Sequence, residues 1–351
     1  MAPTVSVIIP VYNNEDFLAD CLESALAQSL TDIEVLCIND ASQDASFEIL
    51  KYYRRQDSRV RIIDNHENLG ASAARNRGIN AASGRFVFFL DADDFLPDED
   101  VLRDLVAAQA ETRMRIVGGS LCTLHMKSGK FVTTYTEAFE GYAFPGDSMV
   151  FYEDYQFDLG FQRFLFDREM LVKADLFFPP YRFFDGAVFL ARALSHAGVF
   201  YAMARITYVS RTTHELDLWT SERIVDALLG VLGNLQLASD KNYADLYALT
   251  LHRLNPYMKK RIVFTRWGKH TEDINNTLAV IKGNLRSDLL HKSRYSFAVR
   301  GETAVRDLQR SAGGRATRVI AFLRSLGPVR RLLKALHRRK MEERGSYERG
   351  I

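Results

Sequence analysis

Residues 85–94 read Arg-Phe-Val-Phe-Phe-Leu-Asp-Ala-Asp-Asp, an unbroken apolar run, Phe86–Leu90, followed by three acids in four positions. The apolar half is far too short to span a bilayer and reads as a strand buried on both faces. The acidic half then lies where that strand leaves the core. Upstream, the same alternation of buried strand and amphipathic helix repeats three times. Val5-Ser-Val-Ile-Ile9 is rich in β-branched residues and is expected to end at Pro10. Phe17, Leu18, Cys21, Leu22, Ala25 and Leu26 follow helical spacing behind the acids Glu15 and Asp16. Glu34–Ile38 and Val60–Ile63 are the next strands, with Phe47, Ile49 and Leu50 on a helix between them and Ala71–Ala82 as a third helix. Short loops between such units imply an α/β fold, a Rossmann-like, mostly parallel open sheet with helices on both faces. Ligands of open α/β sheets bind beyond the carboxyl ends of the strands. That rule selects Pro10–Asn14, Asn39–Asp44, Asn65–Gly70 and Asp91–Asp94.

Six of the ten residues from Asp91 to Asp100 are acids, and none is Lys or Arg. Asp98, Glu99 and Asp100 are explained by a helix starting at Pro97, whose first turn favours negative charge. Asp91, Asp93 and Asp94 need another reason, because crowded carboxylates repel unless a cation is shared. Hard oxygen ligands suit Mg²⁺ or Mn²⁺, which commonly take one or two carboxylates together with substrate phosphates. The alternative is that these aspartates only cap and turn the chain.

Four segments occur in order at strand ends: Val5-Ser-Val-Ile-Ile-Pro-Val-Tyr12; Asn39-Asp40-Ala41-Ser42; Asn68-Leu69-Gly70 with Ala74-Arg75-Asn76-Arg77-Gly78; and Leu90-Asp91-Ala92-Asp93-Asp94. Together they resemble the family 2 inverting glycosyltransferases of the GT-A fold, in particular those of bacterial cell-surface polysaccharide synthesis. The resemblance is clear over residues 3–95 and looser to about residue 215. It implies transfer of a sugar from a nucleotide diphosphate, usually a UDP-sugar, to a glycan or lipid-linked acceptor hydroxyl. It also implies a divalent cation, Mn²⁺ or Mg²⁺, at Asp93, with Asp91 on ribose or metal-bound water and Ala92 within the same donor contact. Pro10 and Tyr12 match the loop that lines the base, Asp40 the residue that reads it, and Arg75 a contact to base or diphosphate. Asn39 and Ala41 depart from the pattern, where Asp and Gly are frequent. On the acceptor side, Phe178-Pro-Pro-Tyr-Arg-Phe-Phe-Asp185 resembles the segment that carries the base. Asp185 takes the catalytic position and Phe184 stands where Glu is common. Asp185 is also a natural N-cap for the apolar-periodic helix that follows. Glu153-Asp154 is the competing pair, in an aromatic stretch suited to an acceptor-binding wall. His214 is a candidate for completing the metal site, and Arg211 for neutralising diphosphate.

The chain of 351 residues is long enough for two domains, and 47% hydrophobic with 26% charged residues is ordinary for a globular protein. Strand-like pieces at Ile116–His125, Phe131–Tyr135, Arg163–Phe166, Phe200–Met203 and Ile206–Val209 extend the first part, with a helix after Asp185. Beyond Trp219 the pattern is helical at Ile224–Leu237, Tyr243–Leu254 and Thr271–Ile281. The expected organisation is a catalytic domain over 1–215, a helical domain over 216–290 and a basic amphipathic tail over 291–351. Residues 301–351 hold thirteen Lys/Arg against five Asp/Glu, so a net +8 in the tail leaves about −6 on residues 1–300 from the total of +2. Val319, Phe322, Leu323 and Leu326, then Val329, Leu332, Leu333 and Leu336, form apolar stripes flanked by basic residues on either side of Gly327-Pro328. Such stripes suit an anionic membrane surface or packing on the preceding helices. A cytoplasmic protein, peripheral on the inner face of the plasma membrane, is expected, because neither a signal peptide nor an 18-residue apolar run is evident. Cys21, Cys37 and Cys122 have no metal-ligand spacing and are expected as buried free thiols.

Three other readings compete. A sugar nucleotidyltransferase would carry a Gly-rich, basic loop after the first strand, where this chain has Pro10-Val-Tyr-Asn-Asn14. A processive synthase would carry Gln-x-x-Arg-Trp, where Val263 stands at the Gln position before Arg266-Trp267. An inactive binding or scaffold protein would have no need of the intact Asp91-x-Asp93. Nucleic acid is not expected as a partner, since no recognition motif accompanies the basic tail.

Overall fold

The computed structural model describes residues 2–133, 143–212, 219–254, 262, 265 and 267–295. His214, the tail stripes and the Gln-x-x-Arg-Trp comparison at Val263 and Arg266 lie outside the described residues. The chain divides into two compact units, Met1–Pro179 with Phe189–Glu215, and Pro180–Val188 with Leu216–Ile351.

The first unit is built on one mixed sheet. Strands β1 (Val5–Val11), β2 (Ile33–Asn39), β3 (Val60–Asp64) and β4 (Phe86–Phe89) alternate with helices α1 (Leu18–Leu26), α2 (Ser46–Gln56) and α3 (Ala71–Ala81). After α4 (Val101–Thr112) come β5 (Ile116–His125), β6 (Lys130–Val132), β7 (Ser148–Phe151), α5 (Tyr152–Tyr155), β8 (Phe164–Asp167), α6 (Arg168–Lys173), α7 (Asp185–Ala197) and β9 (Val199–Arg211). The sheet order is β3-β2-β1-β4-β8-β5-β9-β7, with β6 paired to β5. β1–β4 are mutually parallel, and β8 inserts antiparallel between β4 and β5.

Alternate residues of the central strands serve opposite faces, as a period of two requires. Val5, Val7, Ile9, Val35, Cys37, Phe86 and Phe88 pack with Leu18, Cys21, Leu22 and Ala25 of α1 and Leu102 and Leu105 of α4. On the other face, Phe89 sits edge-to-face with Phe161, Phe178 and Phe189. There α3 approaches β1 and β2 closely because Gly78 has no Cβ; one would collide with Ile8 and crowd Ile38. All three cysteines are free and buried.

Three local expectations change. β1 runs through Pro10 to Val11, which a proline tolerates here because the ladder to β4 has already ended at Ile8–Phe89. The two pieces expected at Phe200–Met203 and Ile206–Val209 are one strand, β9. Its pairing with β5 shifts on both sides of Ser120, and that irregularity breaks the alternation in sequence. α4 starts at Val101 rather than Pro97. The acids ahead of it act by pairing instead: Arg205 of β9 binds both Asp98 and Asp104, and Asp100 accepts the Ser29 hydroxyl at 2.7 Å.

The second unit is helical over its described part: α8 (Ser221–Lys241), α9 (Ala244–His252), α10 (Thr271–Gly283) and α11 (Ser287–Lys292). Thr220 caps α8 by accepting from the Arg223 amide, and Asn242 closes it in the left-handed conformation. The Tyr247 hydroxyl ties α9 to the turn after α10, donating to the Asn284 carbonyl and accepting from the Arg286 amide. Among the described residues no helix is long and apolar enough to cross a membrane.

Candidate active site

The acidic segment leaves β4 as a tight turn, closed by the Asp94 amide donating to the Asp91 carbonyl at 3.0 Å. Ala92 is buried, while Asp91 and Asp93 on either side of it are half-buried. Beyond the turn, Phe95 exchanges backbone hydrogen bonds with Val209 in β9, so strand bridges hold both ends of the segment.

Each acid of the turn has a different environment. Asp91 Oδ1 accepts from Arg75 Nη2 at 2.7 Å, and its Oδ2 accepts from Gln162 Nε2 at 2.9 Å. Arg75 is 7% exposed, with its guanidinium 5.0 Å from the Phe161 ring centroid and 5.3 Å from that of Phe178. It is therefore a buried, stacked cation aimed at the turn, not a solvent-facing helix charge. Asp94 points inward, where it accepts from the Tyr208 hydroxyl at 2.6 Å and from the Arg211 amide at 2.7 Å. Burial, followed by the nearby charges of Asp93 and Asp91, pushes the Asp94 carboxyl up to about 8. Tyr208 also accepts from the Asp91 amide at 3.1 Å, so one buried hydroxyl joins two residues of the turn.

Arg211 is committed to the same turn. Its Nη1 donates to the Asp93 carbonyl at 3.0 Å, its Nη2 donates to Asp20 on α1 at 2.9 Å, and its guanidinium lies 4.4 Å from the Phe95 ring centroid. Its side chain thus braces the backbone of the Asp91–Asp94 turn.

The neighbouring loops are laced to one another. The Asn14 amide donates to Ser46 Oγ, and Asn13 accepts from the Gln43 amide while its own amide donates to Ser42 Oγ. Tyr12, 43% exposed, projects from this loop after Pro10. Residues 6–167 match the profile described as glycosyl transferase family 2.

This part of the chain is similar to glycosyl transferase family 2.

The chain is 33% identical over 180 residues to the uncharacterized glycosyltransferase EpsJ of Bacillus subtilis (strain 168), an alignment covering 51% of this chain and 52% of EpsJ. It thus spans about half the length of that relative. In fold it is similar to S. aureus TarS 1-349, crystallised in complex with UDP-GlcNAc, with a TM-score of 0.68 at 18% identity over 88% of this chain and 91% of that one. It is also similar to the mannosyltransferase PcManGT from Pyrobaculum calidifontis in complex with GDP-Man and Mn²⁺, with a TM-score of 0.53 at 15% identity over 89% and 86% of the two chains. The fold is GT-A.

Within the matched segment, Asp40 has a task that its position in the motif did not announce. It is 2% exposed, and its two oxygens accept from Asn65 Nδ2 at 2.7 Å and from the amides of Leu69 and Gly70 at 3.0 and 2.7 Å. The same carboxylate shapes the loop that leads into α3. Ala41 beside it adopts φ +60°, which explains why glycine would be at ease there. Asn39 is buried and internal too, donating to Asp64 Oδ1 at 2.7 Å and accepting from the Ser42 amide. Asn76 of the family 2 motif pairs reciprocally with the backbone of Phe178, at 2.8 and 2.9 Å, and so steadies one of the rings that flank Arg75.

The aromatic stretch around Glu153-Asp154 is mostly core instead of an open acceptor wall. Tyr152 and Phe157 are buried, Tyr155 accepts from Arg163 Nη2 at 2.6 Å, and Phe151 is the exposed ring. Asp185 opens α7 and is half-buried, in a segment belonging to the second unit. Gln162, Tyr208 and Phe161 carried no signal in the sequence. Each lies far along the chain from the turn it serves and belongs to no motif.

Proposed function

We propose that the chain is an inverting glycosyltransferase that moves a sugar from a nucleoside diphosphate, UDP first among them, to an acceptor hydroxyl in cell-surface glycan synthesis. The observation that carries this reading is the braced Asp91-Ala92-Asp93 turn at the carboxyl end of β4, with the buried Arg75 paired to Asp91. Two half-buried carboxylates on a rigid turn are a donor set for Mn²⁺ or Mg²⁺, whose remaining ligands would be phosphate oxygens. Asp94 stays inward of that pair, its carboxyl raised first by burial and then by the charges of Asp93 and Asp91. Asp93 and Asp91 would hold that ion, which when bound supplies charge stabilisation for the departing diphosphate. Tyr12, exposed just beyond Pro10 at the end of β1, is suited to a base, Arg75 sets Asp91, and Asp40 would read the base while shaping the loop before α3. In the transfer the acceptor oxygen forms its bond to the anomeric carbon as the bond to the diphosphate breaks. The electron pair leaves with the phosphate oxygen, and the acceptor proton passes to Asp185. The nucleotide sugars in the structures of TarS and PcManGT support the donor class, and EpsJ supports the transferase class. Association of residues 291–351 with an anionic membrane surface, near a glycan or lipid-linked acceptor, belongs to the same proposal.

The test is a panel of UDP-glucose, UDP-GlcNAc and GDP-mannose with Mn²⁺, read as release of free nucleoside diphosphate and as thermal shift. Release from at least one donor, suppressed by EDTA, is expected. A protein that neither turns over nor is stabilised by any member of the panel would be the scaffold alternative.

A further inference from the structure

The backbone entering Asp185 is unusual. Phe184, immediately before it, adopts φ +67°. A bulky residue in the left-handed region is a conformational outlier that persists only where its surroundings over-determine it. The second unit supplies those surroundings. Gly230, inside α8, leaves a notch for the Phe184 ring: a Cβ at Gly230 would stand 2.7 Å from Phe184 Cδ1 and 3.0 Å from its Cβ. The Arg253 guanidinium lies 5.4 Å from the same ring's centroid. Two residues earlier, the Arg182 amide donates to Oδ2 of the buried Asp226 at 2.8 Å, and the Phe183 ring meets Trp219 edge-on at 4.9 Å. Asp226 and Gly230 are four residues apart on α8 and so share one face of that helix. That single face grips the chain at residues 182 and 184 and thereby sets where α7 begins.

We propose that Asp226 and Gly230 of α8 are positioning residues for Asp185, so that the helical unit governs the rate of proton removal rather than the affinity for donor. The inference rests on the reading of Asp185 as the base. A carboxylate that takes a proton must be oriented within hydrogen-bond reach of it, and a misplacement of about 1 Å can cost about a hundredfold in rate. The notch explains why glycine occupies a helix interior where alanine would be the better helix former.

The experiment compares Gly230→Ala, Gly233→Ala and Phe184→Gly in the full chain, with the panel donor that is turned over fastest. Gly233 is the control, since the nearest atom to a Cβ there is Val188 Cγ1 at 3.9 Å. Gly230→Ala is expected to lower kcat at least about tenfold with donor KM within about twofold, whereas Gly233→Ala leaves both unchanged. Phe184→Gly adopts the same φ without strain but loses the ring that is gripped. It is expected to fold and to show the same loss in kcat, which keeps the inference open to test should Gly230→Ala not fold. A residue that were merely structural would change the melting temperature and leave kcat per folded molecule intact, and that result would overturn the proposal. So would a loss confined to donor KM. Asp185→Asn measured alongside separates the two levels. If it loses its rate while Phe184→Gly and Gly230→Ala keep theirs, only the positioning role fails; if Asp185→Asn keeps its rate, the base assignment fails and the positioning role with it.

Discussion

Replacing Tyr208 by Phe deletes one oxygen from a wholly buried side chain and leaves its packing volume almost unchanged. That oxygen donates to Asp94 Oδ2 at 2.6 Å and accepts from the Asp91 amide at 3.1 Å. In the variant the Asp91 amide faces a ring edge, and Asp94 keeps only the Arg211 amide of these two donors. A buried polar group left unmet costs about 1–3 kcal/mol, so two such groups come to about 2–4 kcal/mol after partial relaxation. For a cooperative unit of this size that is a fall of roughly 5–12 °C in melting temperature. The same loss frees the backbone between Asp91 and Asp94, so Mn²⁺-dependent UDP binding should weaken with it. Differential scanning fluorimetry and titration calorimetry of Tyr208→Phe would measure both. A melting temperature within about 1 °C of the parent, with unchanged UDP affinity in Mn²⁺, would refute the reasoning that this hydroxyl braces the turn.

Three further outcomes are expected. Asp93→Asn should abolish Mn²⁺-dependent nucleotide binding and turnover while barely moving the melting temperature, because it removes an anionic ligand from a half-buried position; unchanged Mn²⁺-dependent turnover would rule out the metal assignment. At the opposite end of the sheet, burial alone would raise the Glu34 carboxyl, but hydrogen bonds from Ser6, Ser83 and Arg61 outweigh burial and hold it below its usual value. Its contribution is therefore present above the unfolded-state pKa and is lost as pH falls through the lower folded-state value; Glu34→Gln should cost about 1–2 kcal/mol at pH 7 and flatten the acid limb of a melting-temperature profile, and an unaltered profile would count against that network. Truncation after Gly314 should release the chain from anionic liposomes at low salt and leave donor hydrolysis intact, whereas indifference of the full chain to liposomes, or unfolding on truncation, would make the tail a structural element.

The alternation of strands and helices in the first hundred residues, and with it the parallel half of the sheet, was legible from local pattern alone. A strand buried on both faces announces itself as a β-branched or aromatic run, and β1, β2 and β3 are neighbours in space as in sequence, whereas β4 returns beside β1. The place of the acidic turn followed from the same regularity, as the carboxyl end of β4. What each polar residue does there was settled by partners that no local pattern could supply. Asp40 matches a base-reading position by motif, and only the structure shows that its carboxylate also accepts from Asn65, Leu69 and Gly70. Arg75 matches a contact to base or diphosphate by motif, and only the structure shows it buried between Phe161 and Phe178 and paired with Asp91. Tyr208 and Arg211, more than a hundred residues downstream, hold the turn through β9, whose insertion beside β5 depends on a register shift that disguised it as two strands. Periodicity is a property of neighbours along the chain. A hydrogen bond between a buried hydroxyl and a carboxylate across the sheet exists only once packing has excluded water from both, so the tertiary structure alone decides it.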